Sequence, residues 1–372
     1  MDSWWWRFLS LSLSLSLSLS LGKWAIVCRT IVHYQTGMQV LYNVKQCGAH
    51  DPWFNLKPSP RLAGRVRRYY IAAEEIFWQY APLKRSLITA VGRDSYSIHL
   101  GILGPFIKAE VGDTIKILFM NKASRPYSMH PQGVQYDKQN EGQVYLDGHP
   151  NKKSGRVPPG ETFEYTWTVP KSSGPGPSEA NCIPSMYYSS QEPIRDPYAG
   201  LMGPLIICRK GILDERDFRK DVDKEFALFF SIMDENMSWY LSENIAKFAP
   251  ARLNTSFAND PAFYQSNYLF TINGLIYGNN KGFVMTVGDR VAWYVMALGS
   301  DKDIHTAHFH GQTFLQPTDG VHRGDVLEVS ASVARTIEIQ TDNPGTWILH
   351  CHVNEHIIGG MEMTYTILPK EF

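Results

Sequence analysis

One segment of this chain, TWILHCHVNEHIIGGMEMTYTIL at residues 346–368, constrains its fold more than any other. Five of its side chains can bind a soft metal ion: His350, Cys351, His352, His356 and Met361. A thiolate, an imidazole and a weak thioether suit a blue-copper electron-transfer site, which uses two histidines, one cysteine and a distant axial methionine. The segment lacks one histidine of that set, so the fold must bring a second segment beside it.

The residues on either side of this cluster predict β-strands. The runs TWIL before it and MTYTI after it are β-branched and aromatic, which favours two strands joined by a turn at Gly359-Gly360. Side chains on a strand alternate between faces, so His350 and His352 would point one way and Cys351 the other. We therefore expect Cys351 to face the interior of its own domain and the two histidines to face outwards.

The missing histidine is expected in the segment DIHTAHFHGQTF, where His305, His308 and His310 form an H-x-x-H-x-H cluster. His308 and His310 are two residues apart and share a strand face, whereas His305 lies before them at a different angle. One histidine can complete the blue-copper site, and two remain to join His350 and His352 as outward-facing imidazoles. The alternative is that these are packing histidines with a buried free cysteine. Seven histidine and cysteine side chains in two short segments argue against it.

Length and composition indicate a globular chain of two domains. The chain has 372 residues, of which 44% are hydrophobic and 19% are charged, with a formal net charge of zero. The absence of a basic excess argues against a nucleic-acid partner, and no apolar run is long enough to span a membrane. Many Gly, Pro, Thr and aromatic residues with short turn signals favour antiparallel β-sandwiches.

The two histidine clusters carry a family resemblance. HTAHFHG and HCHVNEHIIGGM resemble the copper signature of the multicopper oxidases. The stretches HLGILGPFIKAEVGDTI, GLMGPLIICRKG and DENMSWYLSENI are similar to the multicopper ferroxidases of the hephaestin, zyklopen and ceruloplasmin type, from about Trp24 to the end. The resemblance implies an all-β fold of two cupredoxin-like Greek-key β-sandwich domains in tandem, with copper as the cofactor.

The resemblance also implies a role for each candidate ligand. The matches to type 1 copper ligands are His305, Cys351, His356 and Met361. The match to a type 2 ligand is His308, and the matches to type 3 ligands are His310, His350 and His352. In the family, the cysteine passes an electron from the blue copper to a trinuclear cluster, where dioxygen is reduced to water.

The resemblance implies only part of a ferrous-iron site. Asp301 and Glu355 match two acidic positions that hold iron in the family, but Gln265 and Phe270 stand where another Glu and a His are expected. The alternative is that Asp301 and Glu355 are two exposed acids near a loop.

The domain organisation follows from composition and from internal repeats. A V-G-D turn between apolar strands occurs in both predicted domains. The predicted units are a low-complexity leader (1–23), the tail of a preceding cupredoxin domain with a linker (24–64), a cupredoxin-like domain without a copper site (65–210), a linker (211–221) and a cupredoxin-like domain with type 1 copper and half of a trinuclear site (222–372). The Leu-Ser repeat of the leader is interpreted as disordered or as a gene-model artefact, with a signal peptide as the alternative.

The predicted tail repeats the metal-binding segment without gaps. Trp24, Cys28, His33, Met38 and Tyr42 align with Trp347, Cys351, His356, Met361 and Tyr365. Val27 and Arg29 replace the flanking histidines, so a site there would hold type 1 copper only. Its other histidine ligand is not in the chain, and we therefore interpret these residues as an orphan half-site that does not bind copper.

The remaining cysteines and the sequons concern the cellular compartment. The resemblance pairs Cys182 with Cys208 in a disulfide, which implies an oxidising compartment. It also implies that the intact parent is extracellular, either secreted or on the extracellular face of the plasma membrane. Cys47 is expected to be a free thiol. Asn236 and Asn254 begin N-glycosylation sequons.

The function implied by the resemblance depends on a second half of the trinuclear cluster. In the family, the first domain supplies two H-x-H pairs, but this chain has His130-Pro131-Gln132 and Tyr188-Ser189-Ser190 at the matching places. We therefore expect the intact parent to oxidise Fe²⁺ with O₂, in iron and copper homeostasis, with an N-terminal cupredoxin domain completing the cluster. The alternative is a catalytically incomplete fragment that acts as a blue-copper electron-transfer module or as a structural pair of A-type domains.

Overall fold

The computed structural model describes residues 21–45, 64–82, 98–148, 153–250, 260–318 and 320–370. Most of the predicted leader, Cys47 and the sequon at Asn254 lie outside the described residues.

A two-stranded hairpin comes first, formed by β1 (Gly22–Val27) and β2 (Gln39–Val44). The first sandwich follows. Its strands are β3 (Val66–Ala73), β4 (Ile107–Glu110), β5 (Thr114–Asn121), β6 (His130–Pro131), β7 (Thr162–Thr168), β8 (Cys182–Tyr188) and β9 (Met202–Cys208). They form two sheets, with the strand orders β3-β5-β7 and β4-β9-β8-β6.

The second sandwich contains both histidine clusters. Its strands are β10 (Lys224–Asp234), β11 (Tyr268–Ile272), β12 (Val284–Thr286), β13 (Arg290–Ala297), β14 (Ile304–Phe309), β15 (Phe314–Thr318), β16 (Gly320–Gly324), β17 (Val326–Ser330), β18 (Ala334–Gln340), β19 (Gly345–Cys351) and β20 (Glu362–Leu368). The two main sheets have the orders β11-β10-β13-β18 and β12-β20-β19-β14-β17, and β15 pairs with β16 in a separate hairpin.

The two sandwiches repeat one strand order. The sheet β3-β5-β7 corresponds to β10-β13-β18, and β4-β9-β8-β6 corresponds to β12-β20-β19-β14. Both V-G-D turns join corresponding strands, and their glycines, Gly112 and Gly288, adopt φ angles of +100° and +97°, which glycine reaches without steric cost. The prediction of an all-β chain with two sandwiches in tandem is confirmed.

The sandwiches share a buried interface that explains the apolar sequence of β10. On one face of β10, Phe226, Leu228 and Phe230 belong to the core of the second sandwich. On the other face, Ala227 and Phe229 lie in a cluster that includes residues of the first sandwich. A strand covered on both faces becomes a nearly continuous apolar run.

Helices are short and lie in the connections. They are α1 (Ile31–Gln35), α2 (Arg195–Tyr198), α3 (Leu241–Phe248), α4 (Pro261–Ser266) and α5 (Asn354–Ile358). No helix among the residues described is both long and apolar enough to cross a membrane. Cys182 and Cys208, on β8 and β9, form the disulfide that the resemblance implied.

Candidate metal centre

Three buried ligands converge where β14, β19 and α5 meet. The Nδ1 atoms of His305 and His356 are 3.2 Å apart. The Sγ atom of Cys351 lies 3.5 Å from Nδ1 of His356 and 4.0 Å from Nδ1 of His305. These atoms are close enough to bind one ion, and a thiolate with two imidazoles suits copper.

Strand pairing and a short helix assemble this cluster. Ala307 on β14 pairs with Cys351 on β19, which brings His305 near the sulfur. The sequence predicted that a glycine turn alone joins β19 to β20, but the structure places α5 before Gly359-Gly360, and α5 carries His356 back over Cys351. The helix escaped prediction because five residues are too few to reveal a helical period.

Met361 is fully buried in the same core cluster as Cys351. Its main-chain oxygen accepts a hydrogen bond from Cys351 N at 3.0 Å, and its nitrogen donates to His356 O at 2.9 Å. The main chain thus holds Met361 beside two of the three converging ligands.

The environment of Cys351 favours the thiolate. Burial raises the pKa of Cys351, but hydrogen bonds with His305 and His356 and with nearby backbone groups outweigh burial and lower the pKa to about 5. At neutral pH the sulfur is therefore a thiolate, which is the form that binds metals.

Asp303 fixes the orientation of the His305 ring from the side opposite the converging ligands. Its carboxylate is fully buried, and Oδ1 lies 3.2 Å from Nε2 of His305 and accepts a hydrogen bond from Ile232 N at 2.8 Å. Burial lowers the pKa of His305, but the hydrogen bonds with Asp303 and Cys351 and their charges raise it overall. With Nε2 directed at Asp303, Nδ1 faces the other ligands.

Four imidazoles form a second cluster on the opposite face of the same strands. His308 and His350 are cross-strand partners. Nε2 of His350 lies 3.3 Å from Nδ1 of His308 and 3.0 Å from Nε2 of His310. The ring of His352 stacks on that of His308, with centroids 4.8 Å apart. These are the four histidines that the sequence predicted to face away from Cys351.

In the second cluster, the surroundings of His310 favour the neutral imidazole, and His308 has an acidic neighbour. Burial lowers the pKa of His310, and the nearby rings of His308, His350 and His352 lower it further. Asp325 places Oδ2 3.3 Å from Nε2 of His308. A neutral imidazole offers the lone pair that a metal ion needs.

Sequence reasoning missed both aspartates. Asp303 contacts His305, and Asp325 contacts His308. For Asp303, which lies two residues before His305, the D-x-H spacing was an available signal. Asp325 could not be inferred, because its contact depends on the pairing of β14 with β17.

A cavity of about 290 Å³ opens beside His356. Its lining side chains are Ile232, Gln265, Tyr268, Phe270, Lys302, Glu355 and His356. Glu355 therefore lies near the first cluster, whereas Asp301 is exposed and does not line the cavity. Apart from Glu355, the lining provides no carboxylate, and Lys302 adds a positive charge.

The first sandwich holds different groups at the corresponding positions. His130 and Tyr188 are cross-strand partners on β6 and β8, as His308 and His350 are on β14 and β19. Nε2 of His130 accepts a hydrogen bond from Arg29 at 3.1 Å, and the guanidinium of Arg29 lies 5.1 Å from the centre of the Tyr188 ring. Because arginine can only donate, His130 is a neutral imidazole whose Nδ1 donates to Glu141 O.

Known proteins resemble this chain in sequence. Family sequence models described as multicopper oxidase match residues 85–211 and 248–371. Mouse hephaestin is 40% identical over 94% of this chain, and human "Ferroxidase HEPHL1" is 41% identical over 93%. The chain spans 32% of each of these two relatives.

A solved structure shows the same fold. The blue copper oxidase from Nitrosomonas europaea aligns with a TM-score of 0.54 at 20% identity, over 82% of this chain and 86% of that one. The likeness concerns the fold, and the two matching family models show that the chain belongs to the multicopper oxidase family, whose members are copper-dependent oxidoreductases.

Proposed function

We propose that this chain is the electron-accepting part of an oxidase that converts ferrous to ferric iron with dioxygen as the final acceptor. One observation carries the proposal: a buried thiolate and two imidazole nitrogens converge within 4.8 Å, and the same strands hold a histidine cluster on their other face. Copper in these sites would accept single electrons and deliver them to dioxygen.

The proposed type 1 ligands are His305, Cys351, His356 and Met361, with Asp303 fixing the orientation of His305. Cys351 is bonded through the main chain to His350 and His352. An electron received at Cys351 therefore has a short covalent route to the second cluster.

The proposed oxygen site is only half supplied by the described residues. His308 is assigned to type 2 copper, and His310, His350 and His352 are assigned to type 3 copper. Each ion needs several ligands fixed by their neighbours, so another cupredoxin unit with two H-x-H pairs must face this cluster. The first sandwich does not supply them, because Nε2 of His130 already accepts a hydrogen bond from Arg29.

Iron is proposed as the electron donor because one relative is named a ferroxidase. Glu355, in the cavity beside His356, is the carboxylate that would bind Fe²⁺, and the exposed Asp301 precedes the lining residue Lys302 in the sequence. Lys302 opposes a cation in the same cavity. Lys302→Glu should therefore tighten Fe²⁺ binding, whereas the exposed control Lys224→Glu should not.

The reaction of the copper-loaded chain with ferrous iron tests the proposal, because the lone chain should not complete a catalytic cycle. Ferrous iron added to the copper-loaded chain should bleach the blue colour once, with slow recovery in air and no sustained oxygen uptake. A cupredoxin unit carrying two H-x-H pairs should restore turnover. The double variant His350→Ala/His352→Ala should abolish the restored activity and keep the blue band.

The matched control changes Tyr188 and Ser190, the positions of the first sandwich that correspond to His350 and His352. Tyr188→Phe/Ser190→Ala should leave the restored activity intact. Sustained iron-dependent oxygen uptake by the lone chain would contradict the half-site. Equal restored activity in the double histidine variant would contradict the oxidase assignment.

The parent protein is proposed to act outside the cell, in iron and copper homeostasis. The disulfide between Cys182 and Cys208 supports an oxidising compartment. A second candidate function is one-electron transfer alone. The absence of further histidine ligands near the second cluster, among the residues that the structure describes, favours that candidate when no partner unit is bound.

A further inference from the structure

The cavity beside His356 carries one fixed charge of each sign. Its lining includes the Glu355 carboxylate and the Lys302 ammonium, and both residues are exposed to solvent. Gln265 adds a neutral amide. A hydrated Fe²⁺ ion is attracted by one of the two charges and repelled by the other, so the lining has little net attraction for a cation alone.

The wall of the cavity next to His356 is an aromatic ring that is fixed in place. The ring of Phe270 lies against that of His356, with the centroids 5.2 Å apart. It also packs on Gly359, where a Cβ atom would come within 2.2 Å of the Phe270 ring. A phenyl ring offers no lone pair to a metal ion, so an iron ion in this cavity must bring most of its ligands with it.

A short turn holds the residue that carries the positive charge. Ser300 N donates a hydrogen bond to Asp303 Oδ2 at 2.7 Å, and Lys302 N donates to Ser300 Oγ at 3.2 Å. Nζ of Lys302 lies 5.5 Å from the centre of the Tyr268 ring. Among the carboxylates that the structure describes, none forms an ion pair with Lys302. Its charge can therefore act on a ligand in the cavity.

The size and position of the cavity suit a small metal complex. Its volume of about 290 Å³ is near the lower end of small-molecule pockets, which is about 300 Å³. His356 lines the cavity, and its Nδ1 lies 3.5 Å from Sγ of Cys351. A complex in the cavity thus lies beside the imidazole that leads to the thiolate.

We propose that the cavity takes Fe²⁺ as its complex with an anionic polycarboxylate, and that Lys302 selects this form over the hydrated ion. The inference rests on the proposed function, in which iron is the electron donor. The carboxylates of the chelator face Lys302 and Gln265, and the iron faces Glu355. The complex loses one electron to the type 1 copper ion, which becomes Cu(I), and the iron leaves as Fe³⁺ on the same chelator. No proton is transferred and no covalent bond to the protein forms or breaks.

Reduction of the blue copper in the absence of oxygen tests this selection. The rate of bleaching is measured for the full copper-loaded chain with ferrous citrate and with hydrated Fe²⁺. Lys302→Glu should slow the reaction with ferrous citrate about tenfold, because two units of charge change at about 6 Å from an anion. The same variant should speed the reaction with the hydrated ion. Lys302→Arg should behave like the unaltered chain, and the exposed control Lys224→Glu, at the start of β10, should change neither rate.

Salt and a redox-inert complex separate this charge effect from a structural one. Higher ionic strength should slow the reaction of the unaltered chain with ferrous citrate, because salt screens the attraction, and should speed that of Lys302→Glu. Calorimetry should show that gallium(III) citrate, which has no redox reaction here, binds the unaltered chain about tenfold more tightly than the variant. Equal binding to both would overturn the proposal.

The selection by Lys302 and the proposed function fail in different ways. If both iron forms bleach the blue band and Lys302→Glu leaves the ratio of their rates unchanged, only the selection by Lys302 is overturned. If neither iron form bleaches the band while dithionite does, iron is not the electron donor, and both proposals are wrong.

Discussion

The corresponding ends of the two sandwiches share a backbone and differ in the side chains that it carries. In the second sandwich, His308 faces His350 across β14 and β19. In the first, His130 faces Tyr188 across β6 and β8, and Arg29 covers the pair. The strand order is the same, so the difference in chemistry depends on a few side chains.

The position that follows each cross-strand pair shows the difference most clearly. Cys351 follows His350, and Ser189 follows Tyr188. Ser189 Oγ donates a hydrogen bond to Asp196 Oδ2 at 2.6 Å, and burial raises the pKa of Asp196 to about 6. At this position the first sandwich ties its hydroxyl to a buried carboxylate, whereas the second directs ligand atoms at one another.

The largest expected effect comes from changing Cys351 and Ser189, the residues that follow the two cross-strand pairs. Cys351→Ser replaces a soft thiolate with a hard alcohol and should abolish the blue absorption of the copper-loaded chain. Ser189→Cys should create no blue band, because no pair of imidazoles converges there in the described structure. Visible absorption measures both, and a blue band retained in Cys351→Ser would refute the ligand assignment.

Removing the buried carboxylate behind His305 should weaken the second sandwich's site without eliminating it. Asp303→Ala should lower copper affinity about 10 to 100-fold, because His305 loses the partner that fixes its ring. The neighbouring exposed residue provides the control, and Asp301→Ala should leave copper affinity unchanged. Equal affinities in the two variants would show that Asp303 does not position the ligand.

Changing the axial position should shift the potential and leave copper bound. Met361→Leu removes only a weak ligand, and loss of thioether donation to Cu(II) should raise the reduction potential. The swap preserves volume and should destabilise the fold by less than about 1.5 kcal/mol. Met363→Leu, in the same core, should not change the potential. Loss of copper in Met361→Leu would assign that residue a structural role.

The smallest expected effect concerns the ionisation of the Cys351 thiol in the metal-free chain. Hydrogen bonds with His305 and His356 overcome burial and bring the pKa of Cys351 to about 5. Because the pKa is lowered, the thiolate should be present above about pH 5 and lost below it. Ultraviolet thiolate absorbance, with Cys351→Ser subtracted, measures this. A transition near the ordinary thiol range would contradict the hydrogen-bonded geometry.

The sequence predicted some parts of this arrangement and could not predict others. Strand alternation separated Cys351 from His350 and His352, because the period of a strand is two. The short helix that carries His356 was not predicted, and a turn alone was expected there. The contact of Arg29 with His130 joins residues 101 positions apart, so only the folded chain reveals it.

The number of type 1 copper ions per chain tests the central claim most directly. Electron paramagnetic resonance of the oxidised, copper-loaded chain counts Cu(II) held by a thiolate and separates it from Cu(I), which gives no signal. The account predicts one such ion per chain, in the second sandwich. The absence of that signal, or two such ions, would contradict the proposal that, within the described part of the chain, only His305, Cys351, His356 and Met361 form a complete blue-copper site.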